Sequence, residues 1–202
     1  MKKIYFSILI IIVSFLFVLT KEQTKHVNNE VVLETKISIN IPNARYVKVN
    51  EMINKKITKI KKDFKNNITS NNFALDIDYK EYKYYNYISY AFFIETYLGG
   101  AHPSHDLFTI VYDTENNKII DINTLMTYNS KTLKVFSDYS RANLIYNPKI
   151  DIHMLLEGTT AKIENFANFV FDKNIILFFK EYQIAPYSSG MITLDVPYYM
   201  IK

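Results

Sequence analysis

Imidazole side chains cluster only once in this 202-residue sequence, in the segment His102-Pro103-Ser104-His105-Asp106. Two histidines three positions apart, with a carboxylate beside them, could in principle ligate a metal such as zinc. Pro103 and the preceding Gly99-Gly100 pair make the local backbone irregular, and no third ligand follows nearby. We therefore expect no metal site, and we expect His102 to hydrogen-bond the backbone of its loop.

Two glutamates, Glu95 and Glu181, lie in apolar stretches that are typical of strands. A pair of carboxylates on one sheet could serve as acid and base in glycan cleavage, provided that the fold brings them together. Exposure at a sheet edge or pairing with lysine is the commoner fate of such residues. We therefore expect no catalytic residue, and we keep a peptidoglycan-acting hydrolase that uses these glutamates as an alternative.

Glycine and proline are rare in the sequence, and residues 99–104 and 182–190 hold three of its four glycines and two of its five prolines. Glycine permits backbone conformations that other residues avoid and proline fixes φ, so both segments are predicted to be sharply shaped loops. Tyr187 on such a rigid loop either provides a contact for a protein groove or a sugar ring, or folds inward and caps the sheet. The residues predicted to contact a partner are Gly99, Gly100, His102, Pro103, Tyr182, Pro186, Tyr187 and Gly190.

Composition excludes several classes of protein and of site. The net charge of +4 includes Lys2 and Lys3; without them Lys and Arg fall from 24 to 22 against 20 acidic residues, so the rest of the chain is near +2. Nucleic-acid binding needs a concentrated basic stripe, so we expect no nucleic-acid partner. The absence of cysteine excludes disulfides, thiolate metal sites and cysteine nucleophiles. We expect no cofactor.

An uncharged apolar run over residues 4–19 follows Lys2 and Lys3 and ends before Lys21. A positive start followed by such a run is typical of a signal peptide or a membrane anchor, and the sequence leaves both open. The positive-inside rule places the amino end in the cytoplasm. We therefore expect a protein that is secreted or anchored by residues 4–20 at the extracytoplasmic face of the membrane.

Hydrophobic periodicity after this leader switches between strand and helix spacing. Alternating isoleucines predict a strand at residues 37–41, and a stripe at 3.6-residue spacing from Val49 to Phe64 predicts a helix. The outer face of this helix is rich in lysine, which we interpret as a solvated surface, with contact to an anionic envelope as the other interpretation. Residues 82–98 are typical of one central strand or of two strands with a kink near Asn86.

Further strands are expected at residues 73–79, 108–112, 118–120, 166–171, 175–179 and 192–196, with helices after Asp121 and Ser130. Strands and helices come in runs rather than in strict alternation, which predicts an α+β fold: a mostly antiparallel β-sheet packed with a few helices, preceded by one hydrophobic signal or anchor helix. The predicted domains are a signal or anchor at 1–20, a tether at 21–33, a helical lead-in lobe at 34–80 and a sheet domain at 81–202.

Three motifs of the exported part occur in the same order as in a known family. They are a glycine–histidine loop in Tyr97-Leu98-Gly99-Gly100-Ala101-His102-Pro103; a strand, turn and strand from Tyr112-Asp113 to Lys118-Ile119-Ile120-Asp121; and a closing strand and loop in Phe178-Phe179-Lys180-Glu181-Tyr182-Gln183-Ile184-Ala185-Pro186-Tyr187-Ser188-Ser189-Gly190, followed by Val196-Pro197-Tyr198. Residues 34–202 thereby resemble the extracytoplasmic domain of RsiV-type anti-sigma factors and PdaC-type peptidoglycan deacetylases.

The resemblance implies a sensing or binding module, which in the anti-sigma relatives recognises lysozyme and in the deacetylases accompanies a peptidoglycan enzyme. Only three residues precede the apolar run and the sequence ends at Lys202, so we expect neither an anti-sigma domain nor a deacetylase domain. We therefore expect a non-enzymatic binding module of the bacterial cell envelope, with a lysozyme-like protein or a cell-wall glycan as its partner. An accessory structural protein of the envelope is a further alternative.

Overall fold

A computed structural model describes residues 35–68 and 73–201, all of which belong to one compact unit. The predicted signal or anchor at 1–20 and the tether at 21–33 lie outside the described residues. In the described ranges, no helix combines the length and the apolar character that a membrane crossing requires.

A five-stranded sheet forms the larger layer of the fold. Its strands lie in chain order, and every neighbouring pair is antiparallel except the first, which is parallel. The strands are β1 (Thr35–Ile39), β2 (Phe73–Tyr84), β3 (Tyr87–Tyr97), β4 (Ser104–Asp113) and β5 (Lys118–Ile120).

A smaller antiparallel sheet and most of the helices follow in the second half of the chain. The sheet consists of β6 (Phe169–Phe171), β7 (Ile175–Phe179) and β8 (Ile192–Val196), in that order. The helices of the described residues are α1 (Val47–Asn66), α2 (Ile122–Tyr128), α3 (Thr132–Leu144) and α4 (Ile152–Gly158), with single 3-10 turns at Ile163–Phe166, Tyr187–Ser189 and Tyr198–Ile201. The expectation of an α+β fold with mostly antiparallel sheet is confirmed.

Helix α1 connects the two parallel strands and covers one face of the larger sheet. Two parallel neighbouring strands need a crossover connection. Helix α1 therefore runs antiparallel to β1 and ends near the end of the sheet at which β1 and β2 begin. Val49, Ile53, Ile57 and Phe64 are buried, in agreement with the predicted stripe. They pack on Leu75, Ile77, Phe92, Ile110 and other apolar residues of that face.

The β-rich run at 82–98 contains two strands rather than one. The pair Tyr84 and Tyr87 closes the β2–β3 hairpin, so its turn consists of Tyr85 and Asn86 alone. Tyr85 is 89% exposed and has a φ of +49°. That position of a two-residue hairpin usually holds glycine or asparagine, so the kink predicted near Asn86 is a tight turn whose first residue is a tyrosine in the left-handed region.

The second sheet packs on the other face of the larger sheet, through β6. One edge of β6 pairs with β7, and backbone N–H groups on its other edge donate to side chains: Phe171 N to Ser89 Oγ and Phe169 N to Thr109 Oγ1, both at 3.1 Å. Ser89 is fully buried. These hydroxyls satisfy donors that an uncovered strand edge would leave unpaired inside the protein.

Several local predictions differ from the structure. Helix α3 has Lys131 rather than Ser130 at its N-cap, without a side-chain hydrogen bond. Residues 147–165, which show no clear periodicity, contain the short helix α4. A single sheet is expected from the sequence, but the strand predicted at 192–196, β8, belongs to a second sheet.

Two buried serines provide a matched test of the β6 attachment. Replacing Ser89 with alanine leaves the Phe171 N–H buried without an acceptor, which should lower the free energy of unfolding by about 1–3 kcal/mol. The hydroxyl of Ser140 is also buried but has no hydrogen-bond partner in the described part of the chain, so Ser140→Ala should cost nothing or stabilise. Urea denaturation of both variants measures the difference; equal effects would show that the Ser89 hydroxyl does not hold β6.

Candidate functional site

A row of polar side chains runs across the larger sheet, near the end of the sheet at which β1 and β2 begin. In register across four strands, Ser38 pairs with Asp76, Asp76 with Glu95, and Glu95 with His105. Because side chains alternate along a strand, Asp78 lies on the same face as Asp76. This is the face that carries the second sheet, which leaves this corner uncovered.

The uncovered corner is an open cleft of about 420 Å³. Asp76, Asp78 and Glu95 contribute carboxylates from β2 and β3, and Phe93 and Met191 contribute apolar surface. The complete lining is Asp76, Asp78, Phe93, Ile94, Glu95, His105, Glu181, Gly190 and Met191. We call this site the acidic cleft.

His105 lies between the two glutamates that the sequence analysis considered for catalysis. Its Nδ1 is 2.7 Å from Glu181 Oε1 and its Nε2 is 3.3 Å from Glu95 Oε2. The Glu181 side chain is only 8% exposed, whereas that of Glu95 is 54% exposed. An imidazole can donate to both carboxylates at once only as the imidazolium cation. The structure therefore brings Glu95 and Glu181 together, with a basic ring filling the space between them.

The two histidines of the predicted cluster have different surroundings. His102 donates from Nδ1 to the carbonyl oxygen of Pro103 at 2.9 Å, so it hydrogen-bonds its own loop, while His105 faces the carboxylates. Over residues 35–68 and 73–201, no group of three or more histidine, aspartate or glutamate side chains is arranged to hold a metal ion.

Tyr187 joins the two predicted loops. Its hydroxyl donates to the carbonyl oxygen of Pro103 at 2.9 Å, and its ring stacks on His102 with 4.0 Å between ring centroids. Burial raises the pKa of the Tyr187 hydroxyl, and the nearby Glu181 raises it further, so the hydroxyl keeps its proton. The Tyr187 side chain is partly buried against the neighbouring loop, and both roles that the sequence leaves open for it stay predictions.

Tyr182 is an exposed aromatic residue of the loop at 182–190 and directly follows Glu181 in the sequence. It is 61% exposed and lies 6.0 Å from the Tyr187 ring. Its φ of +61° is unusual for a residue with a bulky side chain. Non-glycine residues in this region are strained and occur preferentially at functional sites.

The remaining predicted contact residues belong to the same two loops. Gly190, with a φ of +66°, lines the cleft and returns the chain to β8. Pro103 is partly buried. Those exposed on the surface are Gly99, Gly100, His102 and Pro186.

The fourth glycine of the chain, Gly158 in α4, supports the loop at 182–190 from below. A Cβ at this position would lie 1.9 Å from the carbonyl oxygen of Gln183. The Gln183 side chain donates from Nε2 to the carbonyl oxygens of Gly158 and Asn165, at 3.0 and 2.9 Å. The loop at 182–190 therefore depends on a glycine that lies outside it in sequence.

Asp76 and Asp78 are not among the residues predicted from the sequence. The signal that would have found them is the alternation of β2, in which Leu75 and Ile77 face the core and the two aspartates face the opposite side. Glu181, by contrast, reaches the same site from the second sheet, and no local pattern indicates that convergence.

The second half of the chain matches a known protein family. Residues 123–199 match the family described as "Protein of unknown function (DUF3298)". This segment includes Glu181 and Tyr182 but neither Glu95 nor His105. No curated protein matches the sequence.

Two crystal structures of DUF3298 family proteins are similar to the fold. One, from Bacteroides fragilis, is 22% identical over 71% of this chain with a TM-score of 0.50; the other, from Pseudomonas aeruginosa PAO1, is 16% identical over 70% with a TM-score of 0.53. The aligned regions span 59% and 66% of those chains. At these identities the likeness shows the fold alone.

Glycine substitutions test how the loop at 182–190 is supported. Gly158→Ala places a methyl group inside the Gln183 backbone and should lower the free energy of unfolding by about 1–3 kcal/mol or more, the cost of overpacking. At Gly100 the nearest atom to a new Cβ is 3.8 Å away, so Gly100→Ala should be tolerated. Thermal unfolding of the two variants provides the comparison, and a Gly158→Ala protein as stable as the parent would contradict the support.

Proposed function

We propose that this protein is a non-enzymatic, extracytoplasmic binding module of the bacterial cell envelope, and that its acidic cleft holds a basic, lysozyme-like protein. The observation that carries the proposal is the convergence of four carboxylates on one open cleft, which Gly190 of the loop at 182–190 also lines. The resemblance to the sensing domain of RsiV-type anti-sigma factors supports this choice of partner, and the DUF3298 match is consistent with it.

Charge in the cleft favours a cationic partner. Asp76, Asp78, Glu95 and Glu181 face a single imidazole. The nearby Lys180 forms an ion pair with Asp106 instead of with these four carboxylates, with 2.5 Å between its Nζ and Asp106 Oδ1. A chain with a net charge of +4 thereby carries a concentrated negative site, and such a site attracts and orients a basic protein.

Aromatic rings beside the cleft supply the second kind of contact. Tyr182, Tyr187 and His102 form a row of neighbouring rings, in which Tyr187 stacks on His102 and the Tyr182 ring is tilted against Tyr187 at 6.0 Å. Tyrosines on rigid backbone lose little conformational entropy on binding and are enriched at interface hot spots. The hydrogen bond of Tyr187 to Pro103 fixes this row in advance of binding.

The geometry supports binding more than hydrolysis. Glycosidases that use two carboxylates leave a gap between them for a water molecule or the reacting sugar carbon. Here the ring of His105 occupies the space between Glu95 and Glu181 and engages both. A cell-wall glycan stacked on the tyrosine row is the other ligand compatible with this site, and the experiments below separate it from a basic protein.

Removing carboxylates tests the electrostatic part of the proposal. Loss of one close charge pair across an interface costs on the order of 1.5 kcal/mol, so Glu95→Gln and Asp76→Asn should each weaken capture of a basic lysozyme about tenfold. Glu51→Gln, which removes an equal charge from the exposed surface of α1, should have no effect. The measurement is biolayer interferometry of the full chain in detergent with immobilised lysozyme, in low and high salt.

Lysozyme with acetylated lysines is the matched ligand, because acetylation removes positive charge. It should bind much more weakly than the native protein. Equal binding of both lysozymes, or binding only of soluble peptidoglycan fragments, would reject the basic-protein partner. Muropeptide release from cell walls that disappears in Glu95→Gln would reject the non-enzymatic function.

A substitution of Tyr182 distinguishes a loss of binding from a loss of folding. Tyr182→Gly removes the exposed ring and also relieves the left-handed strain, which costs roughly 1–2 kcal/mol in a residue with a side chain. We expect a thermal stability equal to or above that of the parent, together with at least tenfold weaker lysozyme capture. Unchanged capture by this variant would remove the tyrosine row from the interface.

A further inference from the structure

The outer surface of α1 carries an excess of positive charge that the protein itself does not neutralise. Only two acidic residues, Glu51 and Asp63, accompany the lysines of this helix. Ion pairs in the described ranges use other basic residues. The exposed lysines of α1 are Lys48, Lys55, Lys56, Lys59, Lys61, Lys62 and Lys65.

This basic surface and the acidic cleft lie on opposite faces of the same sheet. Leu75 and Ile77 of β2 pack under α1, while Asp76 and Asp78 of the same strand line the cleft. The protein is therefore bipolar across the thickness of the sheet. A partner that neutralises the α1 surface leaves the cleft facing away from that partner.

The carboxyl-terminal part of α1 has the features of a phosphate-binding surface. Thr58, Lys61, Lys62, Lys65 and Asn66 line a groove of about 330 Å³, in which lysines are combined with a hydroxyl and an amide. Lysine is a general ligand for phosphate through its charge, and hydroxyl and amide groups donate to phosphate oxygens. A row of such groups suits a layer of anionic headgroups.

The position of this groove agrees with a membrane as the partner. Because α1 runs antiparallel to β1, the groove at its carboxyl-terminal part lies near the end of the sheet at which β1 begins, at Thr35. The residues before that strand include the uncharged run at 4–19. A 20-residue helix is about 30 Å long, so its lysines present an extended charged face rather than a single pocket.

We propose that the lysine surface of α1 lies on the anionic phospholipid headgroups of the membrane to which this protein is tethered. The contact holds the acidic cleft toward the outside, where a basic protein arrives. This inference rests on the extracytoplasmic location given in the proposed function. It selects the second of the two interpretations that the sequence allows for this helix.

Amine labelling tests the contact in the full chain reconstituted into phosphatidylcholine vesicles, with or without phosphatidylglycerol. A membrane-impermeant acylating reagent, read by mass spectrometry, should label Lys61, Lys62 and Lys65 about fivefold or more slowly in the anionic vesicles. High salt should restore the rate, because headgroup attraction is screened. Lys149 and Lys162, which are exposed outside α1, are the internal references.

Charge variants supply the matched control. The triple variant Lys61→Gln, Lys62→Gln, Lys65→Gln should abolish the protection of Lys55 and Lys59, whereas Lys131→Gln, Lys134→Gln, Lys173→Gln, which keeps both reference lysines, should preserve it. Circular dichroism of both variants checks folding.

Equal labelling of α1 in both kinds of vesicle would overturn the proposal. Protection that appears in phosphatidylcholine vesicles on adding inorganic polyphosphate, but not with phosphatidylglycerol, would also overturn it in favour of a soluble polyanion. Lysozyme capture is measured in detergent without lipid, so its failure alone rejects the proposed function and leaves the lipid contact standing.

Discussion

The acidic cleft exists because the second sheet covers only part of one face of the larger sheet. Two hydrogen bonds fix that coverage, from the backbone of Phe171 and Phe169 to the hydroxyls of Ser89 and Thr109. They set where β6 and β7 lie, and therefore where the chain leaving β7 brings Glu181 to His105. If β6 shifted by a residue along the sheet, the carboxylates would no longer converge, although each strand would keep its own pattern.

Hydrophobic periodicity is sufficient to predict an element where the burial of its residues depends on the local sequence. The stripe from Val49 to Phe64 predicted α1, and Asp121 does cap the short helix that follows it. Periodicity failed where long-range packing decides: β8 reads as a strand of the main sheet, but only tertiary contacts place it in the second one. The same limit applies to the site. The loops were visible as clusters of glycine and proline, but the meeting of Glu95, His105 and Glu181 spans 86 positions of sequence and leaves no local signal.

Charge organises the molecule more than its near-neutral total suggests. The alternation of a single strand, β2, places Leu75 and Ile77 under a basic helix and Asp76 and Asp78 in an acidic cleft. The positive charges of one face and the negative charges of the other largely cancel in the net charge, which therefore reveals neither face. One sheet thus carries surfaces of opposite charge on its two faces.

The parallel pairing of β1, the first strand of the described residues, has a mechanical consequence. Tension along the chain from residues before Thr35 enters through β1, which is held to the sheet by its pairing with β2 over residues 35–39. A pull on the leading end of a strand, along its own axis, slides it past its neighbour and loads its ladder of hydrogen bonds together rather than one after another. Side chains of β1 are mostly exposed, so backbone pairing carries most of that load. A pull on the chain ahead of Thr35 would therefore meet a joint that resists shear where the chain enters the sheet.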